Sequence, residues 1–432
     1  MDQSETVARE RAERQRWLAR CVLGVGILFG LGYLCYRTTV TPDGLALDFE
    51  IYRAAAAHLW GGEPVYGESP IGVPGLTYRY PPLLLLWFSL FLGVPPAIGF
   101  ALHTAVALCL SGVLGWTLIR QIERYGPDLY RLDRALIVGF VAVSPIGAPS
   151  LFFGNVNHYM AVAMGLGLVW LDSGKQGRAG VALALAALPK VFPAAIGIWL
   201  LWRRAWRAIA AAVTTGVGCL VAGAVLFGPA RTRNYVTHEL LPRSTPDVFA
   251  GGLPPSSVYV SLRRPLSVVV PRATAAELAL GAVLLVAPAL YYTYTRSRGP
   301  VDRMVAVLAT LSAVLLVVPS YSMYFVLLFY PLLPLLYLLD RPESTVFATG
   351  AALLTLTLKF DDVVQVLEFA GLPIPARVAV LAGARTAYTF GTPVLWGTLC
   401  LLLAGVWRLH GRQETTAEPT SASGQRRPPG ES

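Results

Sequence analysis

The sequence has little charge for its length. Only 14% of its 432 residues are Asp, Glu, Lys or Arg, whereas 55% are hydrophobic. A soluble domain carries charge on roughly a quarter of its residues, so this shortage excludes a soluble enzyme, a fibrous protein and a disordered chain. Several apolar runs approach or exceed the ~20 residues that span a bilayer. The sequence therefore predicts an all-α, polytopic integral membrane protein.

Cysteines are few, and none has the spacing of a metal or disulfide framework. The five cysteines lie in or beside apolar runs, without a CxxC or Cys/His pattern. We interpret them as small buried apolar residues and expect neither a metal site nor a cofactor. The net charge of +10 is scattered between apolar runs rather than gathered in a stripe. This scatter argues against a nucleic-acid partner and indicates membrane topology instead.

The basic residues predict that topology, because Arg and Lys accumulate in short cytoplasmic loops. With the basic loops placed inside, the apolar runs give about 12 transmembrane helices and put both termini in the cytoplasm. The predicted crossings are 17–36, 97–119, 132–152, 159–171, 179–189, 191–202, 208–228, 274–294, 304–318, 324–339, 345–358 and 387–407. We expect a multi-pass protein of the plasma membrane.

Three regions follow from this topology. The first is a basic cytoplasmic N-terminus at 1–16, and the second is a single transmembrane domain at 17–407. Its outer loops lie at about 37–96, 229–273 and 359–386. A tail at 408–432, rich in Ser, Thr, Pro and Gly, is predicted to be cytoplasmic and disordered.

The large first outer loop, 37–96, carries predicted juxtamembrane helices. The stretch from Asp48 to Trp60 has helical composition and ends at Gly61-Gly62. At 3.6 residues per turn, Asp48 and Tyr52 share one face while Glu50 points away. Asp48 can be interpreted as a general base beside a phenol, or as the cap of the helix N-terminus. The apolar stretch 81–93, which opens with two prolines, is too short for a normal span and is expected to be interfacial.

Polar residues also cluster at the outer ends of other predicted helices. Asn155, Asn157 and His158 stand in a short loop between apolar runs, where they can bind a ligand or satisfy helix-end backbone groups. Arg263 lies in the outer segment 229–273, whose arginines can bind a phosphate by bidentate contacts or remain solvated loop charges.

Lys190 is unusual because the chain has only three lysines against 32 arginines, and this one lies within an apolar run. A lysine inside the membrane costs roughly 2.5–3.5 kcal/mol on insertion scales and usually marks a cavity or pathway. The flanking runs, 179–189 and 191–202, each span about half a bilayer. A hairpin with Lys190 at its tip explains both features; the alternative is one unbroken span that places Arg203 outside.

Several of these segments resemble glycosyltransferase family 87. The first outer loop matches through Asp48, Tyr52, Gly61-Gly62, Tyr66 and Tyr80-Pro81-Pro82. Gly154-Asn155-Val156-Asn157 resembles the family's G-Q-x-N segment with Asn for Gln, and Lys190-Val191-Phe192-Pro193 resembles its Lys-x-x-Pro hairpin. Pro319-Ser320-Tyr321-Ser322 resembles a late motif that usually continues Ser-Trp-x-His, but Met323 and Tyr324 follow here.

The resemblance implies a GT-C-like membrane enzyme. It would transfer mannose or a similar hexose or pentose from a polyprenyl- or dolichyl-phosphate donor to a glycolipid or glycan hydroxyl on the outer face, with inversion. Asp48 would be the base. The expected substrate-binding residues are Tyr52, Arg79, Tyr80, Asn155, Asn157, His158, Lys190 and Arg263. The alternative, given twelve helices with both termini inside, is a multi-pass transporter or flippase of a lipid-linked sugar.

Overall fold

The protein is described by a computed structural model that covers residues 3–241, 249, 251–340 and 342–417. The first half of the fold contains the helices α1 (Gln3–Thr39), α2 (Leu47–Gly61), α3 (Leu85–Ser89), α4 (Pro96–Tyr125), α5 (Arg131–Val143), α6 (Ala148–Phe153), α7 (Asn157–Asp172), α8 (Gln176–Ala187), α9 (Ile196–Trp202) and α10 (Trp206–Phe227). The second half contains α11 (Pro229–Asn234), α12 (Arg263–Val269), α13 (Ala275–Arg296), α14 (Pro300–Val317), α15 (Phe329–Leu338), α16 (Glu343–Thr355), α17 (Phe360–Phe369), α18 (Ile374–Phe390) and α19 (Pro393–Ala417).

Short 3-10 segments precede three of these helices, at Pro82–Leu84, Phe192–Ala195 and Ser322–Leu328, and a π-helical segment covers Tyr235–Leu240. The extended structure in the described residues is one antiparallel pair of two-residue strands, β1 (Tyr259–Val260) and β2 (Ser320–Tyr321). Tyr259 is the partner of Tyr321 in this pair. The predicted all-α class is confirmed, and the strand pair is a local clamp between two loops.

The helices also confirm an integral membrane protein. Among the helices of the described residues, six are long and apolar enough to cross a bilayer, namely α1 from Glu13 onward, α4, α10, α13, α14 and α19. The other predicted crossings coincide with shorter helices, such as α7, α8 and α16. The total of twelve crossings therefore stays a prediction.

Burial separates central from peripheral helices. In α14, 72% of the most apolar stretch is buried inside the protein, whereas the corresponding value for α10 is 6%. The α15 residues from Phe329 to Tyr337 are all buried. The core is therefore built around α14 and α15, while α10 turns its apolar residues to the surroundings, as a lipid-facing helix does.

Ion pairs gather the basic loops at one end of the bundle, here called the Asp172 end. Asp172, at the end of α7, accepts hydrogen bonds from Arg303 of α14 (2.9 Å from Nε) and Tyr125 of α4 (2.6 Å). Asp133 of α5 accepts two 2.8 Å hydrogen bonds from Arg20 of α1. The charge distribution predicted that these loops share one side, and the structure agrees.

The chain turns back at Lys190, which confirms the predicted hairpin. Lys190 contacts Asn157 at the start of α7. Arg203, beyond α9, lies within electrostatic range of Asp172 at the end of α7. The two half-length arms therefore run antiparallel, with Lys190 at the end opposite Asp172.

Two predicted boundaries need correction. Helix α19 continues to Ala417, so the tail predicted to be disordered from 408 begins as helix; residues 418–432 lie outside the described part of the chain. The outer loop predicted at 359–386 contains α17 and α18, and the last crossing begins at Pro393 rather than 387 because Gly391 ends α18. The segment 229–273, which was predicted to be an outer loop, includes residues 242–248 and 250, which lie outside the described part of the chain.

Candidate functional site

Helix α2 places Asp48 at the end of the bundle opposite Asp172. The helix begins after Ala46, which adopts the left-handed conformation (φ 60°) and donates its backbone N–H to the carbonyl of Phe152 at 2.9 Å. No side chain caps the helix N-terminus. The interpretation of Asp48 as an N-cap is therefore wrong, because Asp48 is already inside the first turn and its carboxylate is directed to another element.

The turn between α6 and α7 comes very close to α2. Gly154 ends α6 with φ 71°, and a Cβ at this position would lie 2.6 Å from Cβ of Phe49. Only glycine accommodates both the left-handed conformation and this approach. The close contact sets the next residue, Asn155, beside the first turn of α2.

Asn155 connects the carboxylate to two phenols. Its Nδ2 donates to Oδ2 of Asp48 at 2.6 Å and to the hydroxyl of Tyr52 at 3.2 Å. The hydroxyls of Tyr52 and Tyr80 are 3.0 Å apart. As the 3.6-residue period predicts, Tyr52 is buried on the same face as Asp48 while Glu50 is exposed. The result is a half-buried carboxylate within a continuous hydrogen-bonded group.

Lys190 reaches the other side of the same amide. Its Nζ donates to Oδ1 of Asn157 at 2.7 Å and to Oδ1 of Asn155 at 3.4 Å. Asn157 is in turn fixed by a 2.9 Å hydrogen bond from its Nδ2 to Oγ of Ser150. Both oxygens that receive the ammonium are neutral, so Lys190 retains its capacity to bind an anion.

An aromatic row continues from the lysine. The ammonium lies 4.1 Å from the centroid of the Tyr324 ring, a cation–π contact. Tyr324 stacks on Phe192 at 5.3 Å and meets Tyr321 edge-on at 5.5 Å. Tyr321 then packs on Tyr259 across the strand pair, with ring centroids 5.1 Å apart. The strand pair thereby fixes one wall of the site.

Arg79 stands at the rim of this group. Its side chain is exposed and donates to Thr77 Oγ1 and the Gly75 carbonyl, each at 3.2 Å. Burial raises the pKa of Asp48 above the usual aspartate value, while the hydrogen bond from Asn155 and the charges of Lys190 and Arg79 oppose that rise. A carboxylate with a raised pKa is a stronger base, which suits proton transfer.

Two of the sequence-predicted residues lie outside the group. His158 is 1% exposed, and its Nε2 is 3.1 Å from where a Cβ on Gly147 would stand. Its ring therefore packs against the residue that precedes α6 rather than beside Asp48. Arg263 is 5% exposed, with its guanidinium carbon 5.9 Å from the Phe249 ring centroid. The structure thus brings together Asp48, Tyr52, Tyr80, Asn155, Asn157 and Lys190, with Arg79 at the rim.

Sequence reasoning missed Tyr324, Phe192 and Ser150 as neighbours of these residues. The signal for Tyr324 was its place directly after the Pro319–Ser322 motif, where it was noted only as a departure from the expected pattern. In the described part of the chain, no three His, Cys, Asp or Glu side chains are grouped as metal ligands.

Comparisons with known proteins place the chain in a family. The sequence model of glycosyltransferase family 87 matches residues 78–319, which begin after Asp48 and Tyr52 but include Asn155 and Lys190. The crystal structure of ArnT from Cupriavidus metallidurans bound to undecaprenyl phosphate is similar at 14% identity and a TM-score of 0.38, over 91% of this chain and 79% of that chain. No match was found among curated proteins. Because the family model spans more than half of the sequence, the chain belongs to glycosyltransferase family 87.

Proposed function

We propose that this membrane glycosyltransferase moves a sugar, mannose or a similar hexose or pentose, from a polyprenyl-phosphate donor to a hydroxyl of a glycolipid or glycan. Asp48 acts as the general base, and the anomeric centre is inverted. The site at the Asp48 end of the bundle faces the outside of the plasma membrane, and both termini face the cytoplasm.

One observation carries the proposal: a single amide joins the acid and the cation. Asn155 donates to Asp48 through Nδ2 at 2.6 Å and accepts from Lys190 through Oδ1 at 3.4 Å. A carboxylate and an ammonium that formed a direct ion pair would neutralise each other. Held apart by the amide, the carboxylate can take a proton while the ammonium binds a phosphate.

The proposed reaction is a direct displacement in which the protein forms no covalent bond to the sugar. The acceptor oxygen forms a bond to the anomeric carbon and loses its proton to Asp48. The bond between the anomeric carbon and the phosphate oxygen breaks, and its electrons leave with the lipid phosphate. Since one hydroxyl attacks opposite the leaving group, the configuration inverts. The protein contributes positioning and charge stabilisation.

The leaving phosphate carries the developing negative charge, so the cations near Asp48 act on it. Lys190 is the principal candidate because neutral amide oxygens and an aromatic ring surround its ammonium. Arg79 adds a second charge from the exposed rim. Arg263 and His158 are buried outside this group, and the proposed phosphate contacts do not include them.

The outer orientation of the site is supported by the loop charges. Arg20, Arg203 and Arg303 lie at the Asp172 end, and basic loops accumulate on the cytoplasmic side. Lipid chains of the donor can then lie against outward-facing apolar helices such as α10, while the sugar enters the polar site.

The proposal is tested with purified protein, polyprenyl-phosphate sugars of several kinds and a panel of glycolipid acceptors. The expected result is transfer from one donor class with an inverted anomeric configuration in the product, assigned by NMR coupling constants. Retained configuration would reject direct displacement. Movement of intact lipid-linked sugar across proteoliposome membranes, without transfer, would support the flippase alternative instead.

A further inference from the structure

A cavity of about 650 Å³ opens at the Asp172 end of the bundle, far from Asp48. It is lined by Gly174, Lys175, Gln176, Gly177, Arg178 and Arg207. Three of these six residues are cations, and none is acidic. Within the described ranges, neither Lys175 nor the two arginines pair with a carboxylate. The nearest acid in sequence, Asp172, is already occupied by Arg303 and Tyr125.

The packing of two helices holds these like charges together. Helices α8 and α10 begin beside each other, and a Cβ on Gly180 of α8 would collide with the backbone oxygen of Ala208 in α10. Glycine at 180 therefore permits backbone contact. Lys175 and Arg178 at the start of α8 are thus held next to Arg207 in the first turn of α10.

This juxtaposition creates a positive potential that an anion relieves. Both helices run from the Asp172 end toward the Asp48 end, so the positive ends of their dipoles add to the three cationic side chains. Lys175, Arg178 and Arg207 are exposed and repel one another, and an anion bound between them lowers that repulsion. A phosphate group has the charge and oxygen acceptors that Lys and Arg bind best.

Two exposed tryptophans place the cavity at the depth of the lipid headgroups. Trp206 is 61% exposed and Trp202 is 47% exposed, and both precede Arg207 in the chain. Exposed tryptophans in membrane proteins mark the depth of the lipid headgroups. We propose that this cavity, defined by Lys175, Arg178 and Arg207, binds the phosphodiester headgroup of an anionic phospholipid in the cytoplasmic leaflet.

A second basic cavity at the same end provides a matched control. It is about 440 Å³ and is lined by Trp116, Arg120, Glu123, Arg124 and Arg134. Its cations are already engaged: Arg134 is paired with Glu123 at 2.7 Å, and the guanidinium of Arg120 lies 5.1 Å from the Trp116 ring. Arg124 lies over the Tyr125 ring. Replacing two arginines in this cavity removes the same charge as replacing two in the first cavity, but it leaves the proposed lipid site unchanged.

The experiment is native mass spectrometry of the purified protein titrated with phosphatidylglycerol, phosphatidylcholine or inorganic phosphate. The Arg178→Gln/Arg207→Gln variant is expected to lose about tenfold or more in phosphatidylglycerol affinity, since each basic residue near an anionic lipid surface contributes measurably to binding. The Arg120→Gln/Arg124→Gln variant should retain wild-type affinity. Arg178→Lys/Arg207→Lys should also retain it, which separates charge from folding.

The outcomes distinguish the possibilities. The proposal would be overturned if the two glutamine variants lost equal affinity for phosphatidylglycerol. It would also be overturned if the wild-type protein bound phosphatidylcholine as tightly as phosphatidylglycerol. If inorganic phosphate binds the wild-type protein as tightly as phosphatidylglycerol does, the site binds a soluble anion, and the assignment to a lipid is wrong. None of these results depends on sugar transfer, so the proposed transfer and this site fail independently; only the assignment to the cytoplasmic leaflet rests on the orientation proposed above.

Discussion

Asn155 donates a 2.6 Å hydrogen bond from Nδ2 to Oδ2 of Asp48. The opposite end of that amide accepts from Lys190. Asn155 therefore lies between the two charged groups, while the shorter 2.7 Å hydrogen bond to Asn157 also holds the ammonium. Asn155 is therefore a positioning residue for the proposed chemistry.

Replacing Asn155 by leucine should lower kcat about 100-fold. Leucine has a similar shape but cannot orient the carboxylate, and misplacement of a catalytic group by about 1 Å can cost that much. Asn155→Gln retains the amide and introduces the glutamine of the G-Q-x-N segment described above. This variant should recover part of the rate. Steady-state transfer kinetics measure both variants. A glutamine variant as slow as the leucine variant would show that the amide itself contributes nothing.

Tyr324 is expected to support Lys190 through its ring rather than its hydroxyl. Tyr324→Phe preserves the cation–π contact and should leave the KM for the donor near the wild-type value. Tyr324→Leu removes the contact, which is worth about 0.5–2 kcal/mol, and should raise that KM about 2- to 30-fold. If phenylalanine is as harmful as leucine, the hydroxyl is the functional group and this explanation is wrong.

The pH dependence follows from the pKa of Asp48, which burial raises and the hydrogen bond from Asn155 lowers. A base must be deprotonated, so kcat/KM should fall as the pH drops through this raised pKa. Asn155→Leu removes the opposing hydrogen bond and should move the acid limb to higher pH. The pH profile of kcat/KM tests this. A limb at the same pH in the variant and the wild type would contradict the assignment of this limb to Asp48.

Gly154 should be less tolerant of alanine than Gly62, although both end helices in the left-handed conformation. Gly62 (φ 80°) has open space around it, with no heavy atom within 4 Å of the position that an alanine Cβ would take, so Gly62→Ala should cost about 1–2 kcal/mol of stability. Gly154→Ala adds a clash with Phe49, worth about 1–3 kcal/mol more. Thermal unfolding in detergent measures both. Similar losses in melting temperature would show that α2 can move away without cost.

The sequence was sufficient for the parts of the site that follow local periodicity. The helix from Asp48 to the glycine pair, its Asp48–Tyr52 face and the hairpin at Lys190 could all be predicted. Each depends on helical spacing, glycine chemistry or the cost of a charge in an apolar run. These constraints act within a few residues of one another.

The remaining features depend on contacts between distant segments. The ring of Tyr324 meets Lys190 because β1 and β2 clamp two loops about sixty residues apart, and two-residue strands have no periodicity to detect. His158 was expected at the site because it follows Asn157, but the first turn of α7 rotates its ring toward Gly147. The rotation of a helix about its own axis is set by packing, which a mostly apolar sequence such as α7 does not encode.

Asp48→Asn compared with Glu50→Gln is the most direct test of the account. Both changes remove one carboxylate from the first turn of α2, but Glu50 is exposed on the opposite face. With a polyprenyl-phosphate sugar and a competent acceptor, Asp48→Asn should lose about 100- to 10,000-fold in kcat, as expected for removal of a general base. Glu50→Gln should transfer at the wild-type rate. Wild-type turnover in Asp48→Asn, or equal losses in the two variants, would contradict the assignment of Asp48 as the base.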